Sequence, residues 1–172
     1  MDQPTSFDTL LSPQARDLAR KLLECADAGD HSIATAESCT GGLLSTLLTD
    51  LQGLSHRFEC GFVVYSDDAK VQLLGVSRGL LDRDGAVSRS VAIAMAESAV
   101  ARSAASIALS VTGFAGPGGD CDEEGLVHFA VAVDGAPTRH HEAHYGAIGR
   151  DGVRARALEE GLDLLLAAVH SR

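Results

Sequence analysis

Tryptophan is absent and aromatic residues make up only 4% of the chain, so alanine, leucine and valine must fill the core. That composition suits helices lying close on a sheet. Basic residues are scarce: 14 Lys and Arg against 24 Asp and Glu leave a formal net charge of −10. This argues against a general nucleic-acid binder, which would carry a basic face, and against an anionic membrane surface as partner. A local basic site for a small phosphate stays compatible with it. The four cysteines, Cys25, Cys39, Cys60 and Cys121, contain no C-x-x-C pair. No apolar run approaches membrane-spanning length. Met1 to Leu11 lacks a basic segment followed by an apolar one, so no signal peptide is expected. These absences point to a soluble cytoplasmic protein with reduced thiols.

What is present is enough for one domain: 172 residues, 45% of them hydrophobic. Residues 1–11 read as a flexible arm and 12–172 as a single domain. Ser12 and Pro13 form a helix start, with a capping hydroxyl and proline at the first helical position. That helix should run to about Ala28. Ser32 to Ala36 reads as a strand and Gly41 to about Thr49 as a helix. Phe58 to Tyr65 reads as a buried strand, followed by a short helix capped by Ser66 and closed at Gly75. Ser88 caps a longer, alanine-rich helix through about Ala104, and Ile107 to Val111 is another buried strand. Leu126 to Val133 and Arg139 to Tyr145 flank Asp134-Gly135 as a hairpin, the second strand polar and at an edge. A last helix spans about Arg150 to Val169. Alternating helices and strands with a late hairpin predict an α/β fold. It should be a three-layer α/β/α sandwich on a mostly parallel, mixed sheet of about five strands, one antiparallel.

Chemistry should gather where strands end. In an open parallel sheet, ligands bind beyond the carboxyl ends of the strands. Three predicted strands end in polar residues, at Ser38, at Tyr65-Ser66 and at Thr112-Gly113, and Lys70 lies one turn beyond Tyr65. Serine with a neutral lysine works as nucleophile and base, and desolvation is what keeps a lysine neutral. The Tyr65 hydroxyl would stand between them to relay or steady the proton. Each residue also has a plainer role: Ser38 as a helix cap, Lys70 as a surface partner of Asp67, Tyr65 as a core ring with its hydroxyl at the rim, Thr112 as a strand residue. Cys39 at the helix start is the rival nucleophile. The glycine-rich run 113–119 matches no phosphate-binding fingerprint. His140, His141 and His144 read as solvated edge residues rather than metal ligands, because no second ligand group is apparent. Arg150 and Arg154, one turn apart, either hold a phosphate or face water.

Five separated motifs resemble the CinA C-terminal domain family, whose enzymes are nicotinamide-nucleotide amidohydrolases of the PncC type. They are Thr35-Ala36-Glu37-Ser38-Cys39-Thr40-Gly41-Gly42, Tyr65-Ser66 with Lys70, Leu73-Leu74-Gly75-Val76, Gly85-Ala86-Val87-Ser88, and Val111-Thr112-Gly113 with Ala115-Gly116-Pro117. The resemblance implies deamidation of nicotinamide mononucleotide to nicotinate mononucleotide within pyridine-nucleotide salvage. It implies Ser38 as nucleophile, Lys70 as base and Tyr65 as its support. Thr40, Gly41, Gly42, Thr112, Gly113, Arg150 and Arg154 would serve substrate binding. It further implies a homo-oligomer, taken here as a dimer, with no cofactor and no metal. The pyrophosphatase domain that precedes this one in larger CinA proteins is not expected. Two departures stand out: Asp67-Asp68 replaces a common Asn-Glu, and the acidic segment 120–124 replaces one that usually carries a Lys-Pro pair. The second departure is compatible with a non-catalytic nucleotide-binding or regulatory paralogue.

Overall fold

The computed structural model describes residues 11–117, 119 and 122–170. Residues 1–10 of the expected arm, residue 118 of the glycine run and residues 120–121 of the acidic segment lie outside the described residues. Helix α1 (Pro13–Ala28) begins where its signals place it: the Ser12 hydroxyl accepts the Ala15 amide at 3.1 Å, and Pro13 opens the first turn. Strand β1 (Ile33–Glu37) leads into α2 (Leu43–Thr49), and β2 (Phe58–Val63) follows. A short helix α3 (Asp67–Ala69) widens at once into a π-helical turn, Lys70–Leu74, ended by Gly75 at φ +73°. Then come α4 (Arg78–Asp84), α5 (Arg89–Ala101), β3 (Ile107–Gly113), β4 (Leu126–Val133), β5 (Arg139–His144) and α6 (Gly149–Val169).

The five strands lie in the order β2-β1-β3-β4-β5. β1 runs parallel to β2 and β3, while β4 runs antiparallel to β3 and β5. β4 is therefore the one strand opposed to the rest, as the hairpin signal required. The two faces of the sheet carry different sizes of side chain. Ile33, Ile107, Leu109, Val111 and Phe129 pack under α1, α2 and α6. Ala34, Ala36 and Ala108 face α3 to α5, and Ala130 and Ala132 meet Ala92 and Ala96 of α5. Alanine against alanine lets α5 approach the sheet closely, which is how a core poor in aromatics reaches full packing. The result is the three-layer sandwich that the pattern predicts.

Differences from the sequence reading are local. β2 is an edge strand of alternating half-buried and exposed residues rather than a buried one. Its apolar run looks central, but only β1 pairs with it. α4 was not anticipated; of its seven residues only Leu81 is buried, too weak a pattern to register. β3 runs two residues further, because antiparallel pairing of Thr112 with His128 and Gly113 with Val127 extends it. Gly113 must be glycine there, since a Cβ would stand 2.7 Å from the Leu126 carbonyl oxygen. No described helix is long and apolar enough to cross a membrane. Cys25, Cys39 and Cys60 are free thiols.

Candidate active site

The turn after β1 is organised by a carboxylate. Glu37 is fully buried, and it accepts the amides of Gly42, Leu44 and Ser45 at 3.0, 3.2 and 2.9 Å. It also accepts the hydroxyls of Thr40 and Ser45 at 2.8 and 2.7 Å, with Thr35 at 3.3 Å. Glu37 thus caps α2 from the preceding strand and supplies the negative charge that a helix N-terminus favours. Gly41 and Gly42 turn the chain at φ +63° and +94°, a region closed to most other residues. Sequence reasoning missed the role of Glu37. Its signal was an acid closing an otherwise apolar strand, with hydroxyls at Thr40 and Ser45 just beyond.

Ser38 is left free of capping duty. Its amide continues the ladder to the Val111 carbonyl at 2.9 Å, and its Oγ lies 3.2 Å from Lys70 Nζ. The widened turn at Lys70 sends that side chain inward, where it is only 1% exposed. Its other two contacts are neutral: the Val64 carbonyl at 3.1 Å and the Tyr65 carbonyl at 3.4 Å. Among the described residues no carboxylate pairs with it. Burial pushes the Lys70 amine below its ordinary pKa, and the more distant charge of Asp67 opposes this only in part. A neutral amine has two hydrogens and one lone pair. Two carbonyls for the hydrogens leave the lone pair aimed at Ser38, the arrangement a base needs.

These two residues open onto a cavity of about 290 Å³, also lined by Cys39, Tyr65, Ala86, Thr112, the segment 113–117 and Arg150. The Tyr65 ring sits at the rim and is 61% exposed, and its hydroxyl accepts from the Arg150 guanidinium at 3.2 Å. It does not stand between Ser38 and Lys70; the lysine meets Tyr65 only through the main chain. The side chain follows the chain outward as it leaves an edge strand. Thr112 is buried and donates to the Ala86 carbonyl at 2.8 Å. Thr40, Gly41, Gly42 and Arg154 do not line the cavity, and Arg154 donates to the Thr40 carbonyl at 3.0 Å. The geometry therefore joins Ser38, Lys70, Tyr65, Thr112, Gly113 and Arg150 at one mouth, and puts the other four in support of the turn.

Within the turn, the Gly41 amide goes to the Ser38 carbonyl and the Gly42 amide to Glu37. Among the described residues, the amides of Cys39 and Thr40 meet no carbonyl or carboxylate, and the Cys39 amide faces its own thiol. Cys39 itself is 5% exposed, and burial beside the Glu37 charge pushes its thiol up to about 12. A thiol held protonated in this way is no nucleophile at neutral pH. Cys39→Ala should accordingly keep at least about half of wild-type turnover. A loss beyond about 100-fold in a folded variant would return Cys39 to the chemistry.

The pattern of the CinA C-terminal domain matches residues 15–169. A CinA-like protein of Leptospira borgpetersenii is 40% identical over 164 residues, covering 94% of this chain and 38% of its own length. A CinA-like protein of Chlorobium luteolum is 51% identical over 116 residues, 67% of this chain and 27% of that one. The chain thus spans about a third of the length of these curated relatives. Among solved structures, the competence/damage inducible protein CihA from Agrobacterium tumefaciens superposes with a TM-score of 0.88 at 40% identity, covering 93% of this chain and 98% of that one. The competence damage-inducible protein A (ComA) from Klebsiella pneumoniae gives 0.86 at 30% identity, covering 91% and 98%.

Proposed function

The chain belongs to the CinA C-terminal domain family, and on that footing we propose that it is an amidohydrolase converting nicotinamide mononucleotide to nicotinate mononucleotide and ammonia. The observation that carries this reading is the 3.2 Å separation of Ser38 Oγ from a buried amine with no acidic partner among the described residues. Ser38 Oγ attacks the carboxamide carbon while its proton passes to Lys70 Nζ. Backbone amides of the turn that follows Ser38 receive the developing oxyanion. Lys70 returns the proton to the leaving nitrogen, which departs as ammonia and leaves an acyl-serine. A water then attacks the acyl carbon, giving its proton to Lys70 and finally to Ser38 Oγ. Carboxylate and free serine result, and the step calls on no metal or cofactor.

The substrate rests on the family resemblance and on two physical features. The pyridinium charge activates the carboxamide and further disfavours a protonated lysine beside it. Arg150, at the cavity mouth, is the cation available to the nucleotide phosphate. Tyr65 serves this reading as the residue that positions Arg150 through its hydroxyl. We extend the proposal to a cytoplasmic location, in keeping with the acidic charge and free thiols, and to a homodimer on the family resemblance alone.

Purified protein incubated with nicotinamide mononucleotide should release ammonia, and Ser38→Ala should lower the rate by about 10³-fold or more. Full turnover in Ser38→Ala would remove the acyl-enzyme. A wild-type protein that binds the nucleotide in calorimetry yet releases no ammonia would be the non-catalytic nucleotide-binding module instead.

A further inference from the structure

The hairpin of β4 and β5 supplies the second ligand group that the histidine run lacked in sequence. Register pairs His128 with Glu142, and Ala130 with His140, across the two antiparallel strands. Alternation along a strand and direct opposition across a pair then set His128, His140 and Glu142 on one face of the sheet. It is the α5 face, where Ala130 packs against Ala92 and Ala96. His128 is buried at 6% exposure, His140 is half-buried and Glu142 is exposed, so the cluster runs from the sheet interior out to solvent.

Their ligand atoms converge. His128 Nδ1 lies 3.0 Å from His140 Nε2 and 3.4 Å from the Glu142 Oε2 atom. All three residues offer a ligand atom within 4.8 Å of the others. A tetrahedral ion with bonds of ~2.0–2.1 Å holds its ligand atoms ~3.4 Å apart, close to the two shorter separations. An outer shell is also in place. The other Glu142 oxygen meets His144 Nε2 at 2.9 Å, and His144 Nδ1 meets Glu123 at 2.6 Å. Partners of this kind fix the orientation of a ligating carboxylate.

We propose that His128 Nδ1, His140 Nε2 and Glu142 Oε2 bind a divalent transition-metal ion of the zinc class, with its fourth position open to water. Two imidazoles and one carboxylate favour such an ion over magnesium or calcium, which take oxygen ligands. Arg89 on α5 is near enough for its charge to be felt at His140, and it opposes the ion. The site lies one strand away from the cavity, since His128 pairs with Thr112, and takes no part in the amide chemistry. Its effect is mechanical. Within the sheet β5 pairs with β4 alone, and the ion ties the two together.

The test uses the full chain, stripped with a chelator and titrated with zinc chloride by calorimetry, and with cobalt chloride by visible absorption. One equivalent of zinc should bind, cobalt should show tetrahedral bands, and zinc should raise the melting temperature. His140→Ala and Glu142→Gln should each weaken zinc binding by about 100-fold or more and remove the cobalt bands. Glu142 is exposed, so its substitution leaves the apo fold intact. His141→Ala should bind as wild type, because His141 is on the opposite face against Phe129 and Glu160. Absence of stoichiometric binding in the wild type overturns the proposal. So does binding that survives both His140→Ala and Glu142→Gln, for example at the Cys25 and His170 pair.

Discussion

Lys70→Met should abolish ammonia release from nicotinamide mononucleotide, by about 10³-fold or more, near 4 kcal/mol of transition-state stabilisation. Methionine keeps most of the buried volume and removes only the base. In the wild type, kcat/KM should rise with pH along a limb set by Lys70 and lying below the ordinary lysine value of 10.5, because only the neutral amine accepts the Ser38 proton. The variant should lack that limb. Stability gives a second readout. Between the lowered pKa of Lys70 and 10.5, the unfolded chain holds a proton that the folded chain has released. Stability from this group therefore rises with pH across that window, and below it the buried charge weighs on the fold by a constant amount. The melting temperature of Lys70→Met minus that of wild type should be largest on the acid side of the lowered Lys70 pKa and shrink as pH climbs toward 10.5. A turnover in Lys70→Met near that of wild type would remove the base. A difference that stays flat with pH would mean that Lys70 does not titrate early.

Glu37→Ala should be the most destabilising single change at the site. It strips the common acceptor from three amides and three hydroxyls inside the protein. Buried donors left without a partner cost about 1–3 kcal/mol each before relaxation, so the loss should come to several kcal/mol in all. For a chain of this length that is a fall of roughly 10 °C or more in Tm, measured by calorimetry. Glu37→Gln keeps the shape but turns an NH₂ toward a row of donors, so its loss should be intermediate. Turnover should fall in both, because the turn that aims Ser38 is loosened. A shift below about 3 °C for Glu37→Ala would mean that water replaces the carboxylate and that the turn holds its own shape.

Much of the architecture was legible because its causes are local. Ser12-Pro13, Ser66 and Ser88 start helices with hydroxyls that do accept the amides of Ala15, Ala69 and Val91. Gly75 ends one with a left-handed turn. Asp134-Gly135 separates two strands that pair as a hairpin. The convergence of Ser38, Tyr65 and Thr112 at one edge followed from parallel strands ending on the same side. Lys70 could be placed near that edge but not inside it, since helical spacing says nothing of how far a side chain is buried.

What stayed hidden depended on neighbours distant in the chain. Phe62-Val63-Val64 reads as central, and only the strand order leaves β2 at an edge and turns Tyr65 outward to Arg150. Glu37 reads as one acid among 24 acidic residues until the fold closes six donors around it. His128 and Glu142 are fourteen positions apart and meet through the register of β4 on β5. Taken alone, the order of residues determined most of the elements, their layering and the strand-turn-helix that carries Ser38, because capping, turns and apolar periodicity act over a few neighbouring positions. Tertiary structure alone decided which groups are dry, which are paired and which way each side chain points. Dehydration and long-range pairing are properties of the packed whole, and they set the protonation of Lys70, the cap made by Glu37 and the meeting of the histidines.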